Sequence, residues 1–181
     1  RNTRSSVAYG LSYGRSHYYV FHLVGIMEQL KSIEAKKGKF YTIGVGPGAP
    51  EYLTLKALRL IQTADVIVAP RSKVSSDSLA LQTVASFLSP KQMVYEHIYS
   101  MSRDEESTLA SWREVALKVE GWLKENKSVV HITIGDPFIY STTHYLLSEL
   151  EGRVGEEAIF AVPGISAFQT IASKFLRPLT I

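Results

Sequence analysis

Three short segments rich in glycine and proline carry the residues whose types and spacing are best suited to binding a ligand. They are residues 44–50 (GVGPGAP), 135–140 (GDPFIY) and 163–166 (PGIS), and each follows an apolar run and precedes a helix-like segment. Glycine lets a ligand approach the backbone N–H groups without a Cβ in the way, and a helix N-terminus attracts anions. The pattern predicts three strand-to-helix loops that line one cleft.

Each loop taken alone is explained equally well as an ordinary turn or helix start. Gly44, Gly46 and Gly48 lack the G-x-G-x-x-G spacing of dinucleotide-binding loops, and no Gly-Lys-Ser/Thr follows them as in a P-loop. Asp136 could cap the helix after it, and Ser166 could cap the last helix. The prediction of function therefore depends on the three loops together, because open α/β sheets bind ligands beyond the carboxyl ends of their strands.

Short apolar runs alternate with amphipathic segments from residue 40 onward, which is typical of βα units on a parallel sheet. The predicted strands are 40–45, 65–69, 92–98, 128–134 and 157–162, and the predicted helices are 53–63, 78–88, 104–126, 138–150 and 166–175. This pattern predicts an α/β fold with an open, mostly parallel five-stranded sheet and helices on both faces.

The first 39 residues differ in composition from the rest of the chain. They hold seven Lys and Arg against two Glu, whereas the remaining residues are slightly acidic, although the whole chain has a net charge of +3. We expect residues 1–39 to be a leader outside the fold, either an upstream extension or a transit peptide. We expect residues 40–176 to form the α/β domain and residues 177–181 to begin a linker to a second domain.

Composition also limits the classes of function. The basic charge belongs to the predicted leader and not to the domain, so it does not indicate nucleic-acid binding. The apolar stretch 18–27 is about half the length that spans a bilayer, so no membrane segment is expected. The chain has no Cys, which excludes disulfides and thiolate metal sites and fits a cytoplasmic location.

In their order and spacing, the three loops resemble those of the tetrapyrrole methylases, and the resemblance runs from about residue 40 to the end of the chain. Within that family, the segments 68–71 (VAPR), 78–80 (SLA) and 101–104 (MSRD), with Trp112 and Ser141-Thr142, are most similar to the precorrin-2 or cobalt-factor II C20-methyltransferases of cobalamin synthesis. Uroporphyrinogen methylases usually have an Asp where this chain has Ala69 and Pro70.

The resemblance implies a cofactor, a substrate and a set of binding residues. It implies S-adenosylmethionine as the cofactor, a tetrapyrrole as the substrate, and a homodimer of two-domain chains. The implied cofactor contacts are Pro47, Gly135, Asp136, Ile139, Ser166 and Ala167, and the implied substrate contacts are Gly46, Gly48 and Arg103. Arg71 and Arg103 follow the second and third predicted strands, where each could pair with a substrate carboxylate or be a solvated surface charge. Two alternatives stay open: a family branch that methylates a different ring carbon, and a fragment that binds ligand or dimerises without turnover.

Methyl transfer from a sulfonium donor depends mainly on alignment, so a strong acid/base pair is not required. Asp104 is the candidate base for removing the proton that the methylated carbon loses, and an exposed acid in a first helical turn is the alternative. Tyr140 could orient a ligand or simply pack. The five histidines lack metal-ligand spacing. His131, in the middle of a predicted strand, is expected to be a core residue with its hydrogen bonds satisfied. No metal site is predicted, and any cobalt would arrive within the substrate.

Overall fold

The computed structural model describes residues 28, 29, 32–71, 77–99 and 105–180, with only the backbone described for residues 105–108. The chain divides into two compact units, Arg1–Ser32 and Ile33–Ile181. The second unit contains every strand that the structure describes, and the following paragraphs concern that unit alone.

Five strands and five α-helices alternate along this unit. The strands are β1 Phe40–Gly44, β2 Val66–Arg71, β3 Met93–Ile98, β4 Val129–Thr133 and β5 Ile159–Val162. The helices are α1 Leu55–Thr63, α2 Leu79–Val84, α3 Glu105–Lys124, α4 Thr143–Leu150 and α5 Ala167–Lys174. All strand pairs are parallel, and the strand order is β3-β2-β4-β1-β5. The predicted α/β fold with a parallel sheet is confirmed.

The sheet is covered on both faces, because its strands bury apolar side chains in both directions. Ile43 and Ile132 belong to a core cluster that includes residues of α1 and α2. Phe40 and Val129 belong to a second cluster with residues of α3 and α4. Successive side chains of a strand point to opposite faces, so the two clusters lie on opposite sides of the sheet. Among the described helices, none combines the length and apolarity needed to cross a membrane.

The segment after β4 departs most from its prediction. The helix expected over residues 138–150 begins only at Thr143, and residues 136–142 form turns. Asp136 Oδ1 accepts a hydrogen bond from the N–H of Phe138, which closes a turn, and Tyr140 has a φ of +50° that interrupts a right-handed helix. The predicted fifth strand is also shorter, because Glu156–Ala158 form a 3₁₀ turn before it.

The compact unit begins before the predicted domain boundary at residue 40. Ala35 is buried in the core, and its N–H donates to Thr63 Oγ1 at 2.8 Å. The N–H of Lys36 donates to the Tyr41 hydroxyl at 3.0 Å. Ile33 packs against the same core. Residues 33–39 therefore belong to the folded unit. Their lysines interrupt the apolar pattern, which is why the segment resembles the leader in composition.

Candidate active site at the carboxyl edge of the sheet

The three glycine loops meet beyond the carboxyl ends of β1, β4 and β5. Gly135 donates its N–H to Gly46 O at 2.8 Å, so the first two loops are joined by backbone pairing. A Cβ placed on Gly44 would lie 2.3 Å from Gly135 O and 2.7 Å from the Cα of Gly164. These distances allow no side chain, so the contact among the loops requires glycine. The expectation that the loops lie together at one edge is confirmed.

Asp136 fastens the second loop to the third. Its side chain is 7% exposed, and Oδ2 accepts the N–H of Gly164 at 3.0 Å while Oδ1 accepts the N–H of Phe138 at 2.8 Å. Both carboxylate oxygens are therefore bonded to backbone. The interpretation of Asp136 as a helix cap is wrong, because α4 begins seven residues further on. Its predicted contact with a cofactor stays a prediction.

An apolar hollow of about 680 Å³ lies beside the start of α5. Its lining residues are Phe138, Ile139, Tyr140, Phe168 and Leu179. Ser166 begins α5 in a capping-box arrangement with Gln169, yet its buried hydroxyl oxygen has no hydrogen bond of standard geometry from the described residues. The hollow offers aromatic and aliphatic walls, and aromatic ring faces stack on flat rings and attract cations.

A second, narrower cleft of about 260 Å³ lies past the ends of β2, β3 and β4. The residues on its wall include Pro70, Arg71, Ser78, Tyr99, Thr133 and Thr142. Arg71 Nε lies 3.4 Å from Glu96 Oε2, and this ion pair orients the guanidinium. Since a guanidinium has five N–H donors, the pair is compatible with binding a further carboxylate.

The loop after β4 separates the hollow from the cleft. Phe138, Ile139 and Tyr140 line the apolar hollow, whereas Thr142, at the end of the same loop, lines the cleft with Arg71. Two ligands bound on either side of this loop would be neighbours. This arrangement suits the transfer of a group from one ligand to the other.

The sequence from residue 39 to 181 matches the family model of the Tetrapyrrole (Corrin/Porphyrin) Methylases. The chain belongs to the tetrapyrrole methylase family. It is 36% identical over 145 residues to the cobalt-precorrin-2 C(20)-methyltransferase of Salmonella typhimurium, covering 80% of this chain and 60% of the relative. It is 37% identical over 141 residues to the probable enzyme of that name from Methanocaldococcus jannaschii, covering 78% of this chain and 59% of the relative.

Further proteins with other names are also similar to this chain. The siroheme synthase of Thiobacillus denitrificans is 31% identical over 185 residues, covering 97% of this chain and 34% of the relative. Among solved structures, a cobalt precorrin-4 methyltransferase has a TM-score of 0.57 at 28% identity, covering 80% of this chain and 53% of its own. A putative cobalamin synthesis related protein from Corynebacterium diphtheriae has a TM-score of 0.62 at 25% identity, covering 79% and 60%. The chain thus spans about 60% of the length of the first two curated relatives.

The site residues suggested by the resemblance to tetrapyrrole methylases fall into separate groups. Gly46, Gly135 and Asp136 lie at the junction of the three loops. Pro47 and Gly48 are partly exposed beside that junction, and Ile139, Ser166 and the exposed Ala167 lie near the hollow or at the start of α5. Tyr140 is fully exposed on the rim of the hollow. Arg103 and Asp104 lie outside the described residues.

Two buried residues near the carboxyl ends of β3 and β4 were missed or assigned to the core by sequence reasoning. Tyr99 lines the Arg71 cleft, and the only signal for it was an aromatic residue directly after the third strand. His131 is 2% exposed, its Nδ1 lies 3.3 Å from Thr42 Oγ1, and burial lowers its pKa to about 4. The predicted core position is confirmed, but the expectation of satisfied hydrogen bonds is wrong for Nε2, which is buried without a partner among the described residues. Among the described residues, no three His, Cys, Asp or Glu lie close enough to hold a metal ion.

Proposed function

We propose that this chain takes part in methyl transfer from S-adenosylmethionine to C20 of precorrin-2 or cobalt-factor II in cobalamin synthesis. It either catalyses the transfer itself or supplies most of one domain of the enzyme that does so. The observation that carries the proposal is the pair of neighbouring binding spaces on either side of one loop. The similarity to C20-methyltransferases at 36% and 37% identity supports the choice of substrate.

The residues around the hollow fit S-adenosylmethionine. The hollow of about 680 Å³ falls within the roughly 300–1,000 Å³ of small-molecule sites, and its walls are aromatic and aliphatic. The Ser166 hydroxyl oxygen faces the N–H of Gln169 in the capping box, and its own O–H can donate to a polar group of the cofactor. Ile139 and Phe168 would hold the cofactor, which supplies an already activated methyl group.

The protein's contribution to this reaction is alignment of two bound ligands. Gly135 and Asp136 fix the loop that separates the two spaces, through a backbone pair with Gly46 and a bond to the N–H of Gly164. A rigid separating loop holds both ligands in one relative orientation, which is the main source of acceleration for a displacement at an activated carbon. Arg71 would pair with a carboxylate of the tetrapyrrole. Asp104 as a base and Tyr140 as an orienting group stay predictions.

A second candidate function is methylation of a different carbon of a related tetrapyrrole. The similarity to a siroheme synthase at 31% identity favours it. Against it, Ala69 and Pro70 replace the acid that uroporphyrinogen methylases usually have at the end of this strand. The homodimer and the cytoplasmic location expected from the sequence also remain predictions.

The proposal is tested by incubating the protein with precorrin-2 and S-adenosylmethionine labelled with ¹³C in its methyl group. We expect one labelled methyl at C20, located by NMR of the isolated product. A labelled methyl group at another ring carbon would contradict the proposed specificity and would indicate another branch of the tetrapyrrole methylase family. Calorimetric titration with S-adenosylhomocysteine separates binding from turnover, since binding without a labelled product would favour a non-catalytic fragment.

A further inference from the structure

Tyr95 and His97 of the edge strand β3 are connected to α3 by a chain of side-chain hydrogen bonds. His97 Nε2 lies 3.0 Å from Ser111 Oγ, and Ser111 Oγ donates to Ile98 O at 3.4 Å. On the other side of the ring, His97 Nδ1 lies 3.1 Å from the Tyr95 hydroxyl, which lies 3.5 Å from Glu114 Oε1. His97 is therefore the centre of a polar contact between β3 and the first half of α3.

These bonds determine which nitrogen of His97 carries the proton when the ring is neutral. Ser111 has one hydroxyl proton and gives it to Ile98 O, so its oxygen accepts from His97, and Nε2 is the protonated nitrogen. Nδ1 then accepts the hydroxyl proton of Tyr95. Since a hydroxyl has only one proton, Tyr95 donates nothing to Glu114 while His97 is neutral.

Protonation of His97 reverses its hydrogen bond with Tyr95. Both nitrogens of the imidazolium are donors, so Nδ1 donates to the Tyr95 oxygen and the hydroxyl proton turns to Glu114 Oε1. The number of bonds does not fall, but a positive charge now lies in a partly buried ring. Acid weakens the contact if the cost of burying this charge exceeds the attraction of Glu114, and strengthens it otherwise.

The cost of burial is the larger of the two. Glu114 is exposed, and its oxygen is at the long limit of a hydrogen bond, so water weakens its attraction. The Lys118 ammonium lies 5.2 Å from the centre of the Tyr95 ring and repels a second cation nearby. Burial, reinforced by Lys118 and opposed by Glu114 and Ser111, holds the pKa of His97 below its usual value. The contact therefore favours the neutral ring.

The other described groups around His97 do not change this balance. Glu96 precedes His97, so its side chain points to the opposite face of the sheet, where it pairs with Arg71. Pro70, the neighbour of His97 on β2, has no charge. The rings of Tyr99 and His97 have their centroids 4.9 Å apart, and burial raises the pKa of Tyr99, so the phenol stays neutral.

We propose that His97 makes the contact between β3 and the first half of α3 sensitive to pH, so that the contact is closed at neutral pH and opens in acid. An imidazole binds a proton more strongly in water than in a buried site, so protonation favours the arrangement in which α3 has separated from β3. The pKa of His97 is about 6.5 in water and lower in the closed contact, so the contact is at full strength above this value and weakens as the pH falls below it. This inference is independent of the proposed methyl transfer.

Hydrogen exchange of backbone amides in the full chain, followed by mass spectrometry from about pH 7.5 to about pH 5, measures this opening. After correction for the intrinsic pH dependence of exchange, we expect residues 109–116 to exchange faster as the pH falls below about 6.5. The increase is at most about tenfold per pH unit, because one proton is involved. Amides of β1 and β4 are the internal reference and should gain less, since they report unfolding of the core that contains His131.

His97→Gln is the decisive variant, because an amide can accept from Tyr95 and donate to Ser111 but does not titrate. It should abolish the additional exchange of residues 109–116 in acid. The matched control is His144→Gln, which removes an exposed histidine of α4 and should exchange like the wild-type protein.

Glu114→Gln gives a second test that does not depend on the folding of the His97 variant. The substitution removes the carboxylate that favours the cation, so NMR titration of the imidazole should give His97 a lower pKa than in the wild-type protein. An unchanged pKa would overturn the reversal of the hydrogen bonds.

Two results with the wild-type protein would also overturn the inference. A pKa of His97 at or above about 6.5 would mean that protonation holds the contact closed. Exchange of residues 109–116 that does not quicken in acid relative to β1 and β4, or that quickens equally in His97→Gln, would mean that His97 does not control the contact. None of these results would alter the methyltransferase proposal.

Discussion

Replacing Gly164 with alanine tests the contact among the three loops most directly. A Cβ at this position would lie 2.1 Å from Gly135 O and 2.7 Å from the carbonyl carbon of Gly44. Both are backbone atoms, so relief requires a shift of one loop by about 1 Å or more, whereas a flexible side chain would simply rotate away. Gly164 does not have a positive φ, so the effect of the substitution is purely steric.

The expected loss of stability follows from two contributions. Overpacking against a well-packed neighbour costs about 1–3 kcal/mol. The shift also distorts the bond from Gly164 N–H to Asp136 Oδ2, and a bond to a charged group contributes about 1.5–3 kcal/mol when it is lost entirely. We expect a loss of about 2–4 kcal/mol and, for a unit of this size, a Tm lower by roughly 5–15 °C.

Urea and thermal unfolding followed by far-UV circular dichroism measure this loss. Gly121→Ala is the matched control, because Gly121 lies within α3 and no heavy atom lies within 4 Å of a Cβ there. That substitution should raise stability by about 0.5–1 kcal/mol through helix propensity. If Gly164→Ala unfolds at the wild-type midpoint while Gly121→Ala behaves as expected, the three loops do not meet as described.

Three further substitutions test the site and the core. Asp136→Asn should lower the free energy of unfolding by about 1–3 kcal/mol in urea titrations, because an amide has one oxygen for the two backbone N–H groups that the carboxylate bonds. An unchanged free energy of unfolding would refute the role of Asp136 in joining the second loop to the third. The pKa of His131 is about 4 in the folded chain and 6.5 in the unfolded chain, so protons bind the unfolded state preferentially. The free energy of unfolding therefore falls by on the order of 3 kcal/mol as the pH decreases from 6.5 to 4. His131→Phe should remove that part of the pH dependence, and an identical slope in the variant would contradict the assignment. Arg71→Gln should weaken the binding of sirohydrochlorin, the oxidised form of precorrin-2, about tenfold, as measured by calorimetry. Equal affinity in the variant would exclude Arg71 from the substrate site.

The architecture was predictable because the signals that specify it are local and repeated. A strand buried on both faces shows as a continuous apolar run, as in residues 66–69, and a helix start shows as Thr54 or Ser78 before an amphipathic segment. The three glycine loops could likewise be found from residue types alone. Boundaries were less predictable after β4, where the turn closed by Asp136 delays the helix to Thr143.

The sequence by itself determined the order of the elements, the parallel sheet and the position of the three loops at one sheet edge. Each of these follows from patterns among residues that are close together along the chain. The tertiary structure alone decided the partners of each group. It used one oxygen of Asp136 to close a turn within the second loop and the other to join that loop to the third. It also left the Tyr99 hydroxyl buried without a partner among the described residues. The residues concerned are up to 28 positions apart, and no local pattern encodes a contact between them. The physical reason is that burial and hydrogen bonding depend on which strands become neighbours.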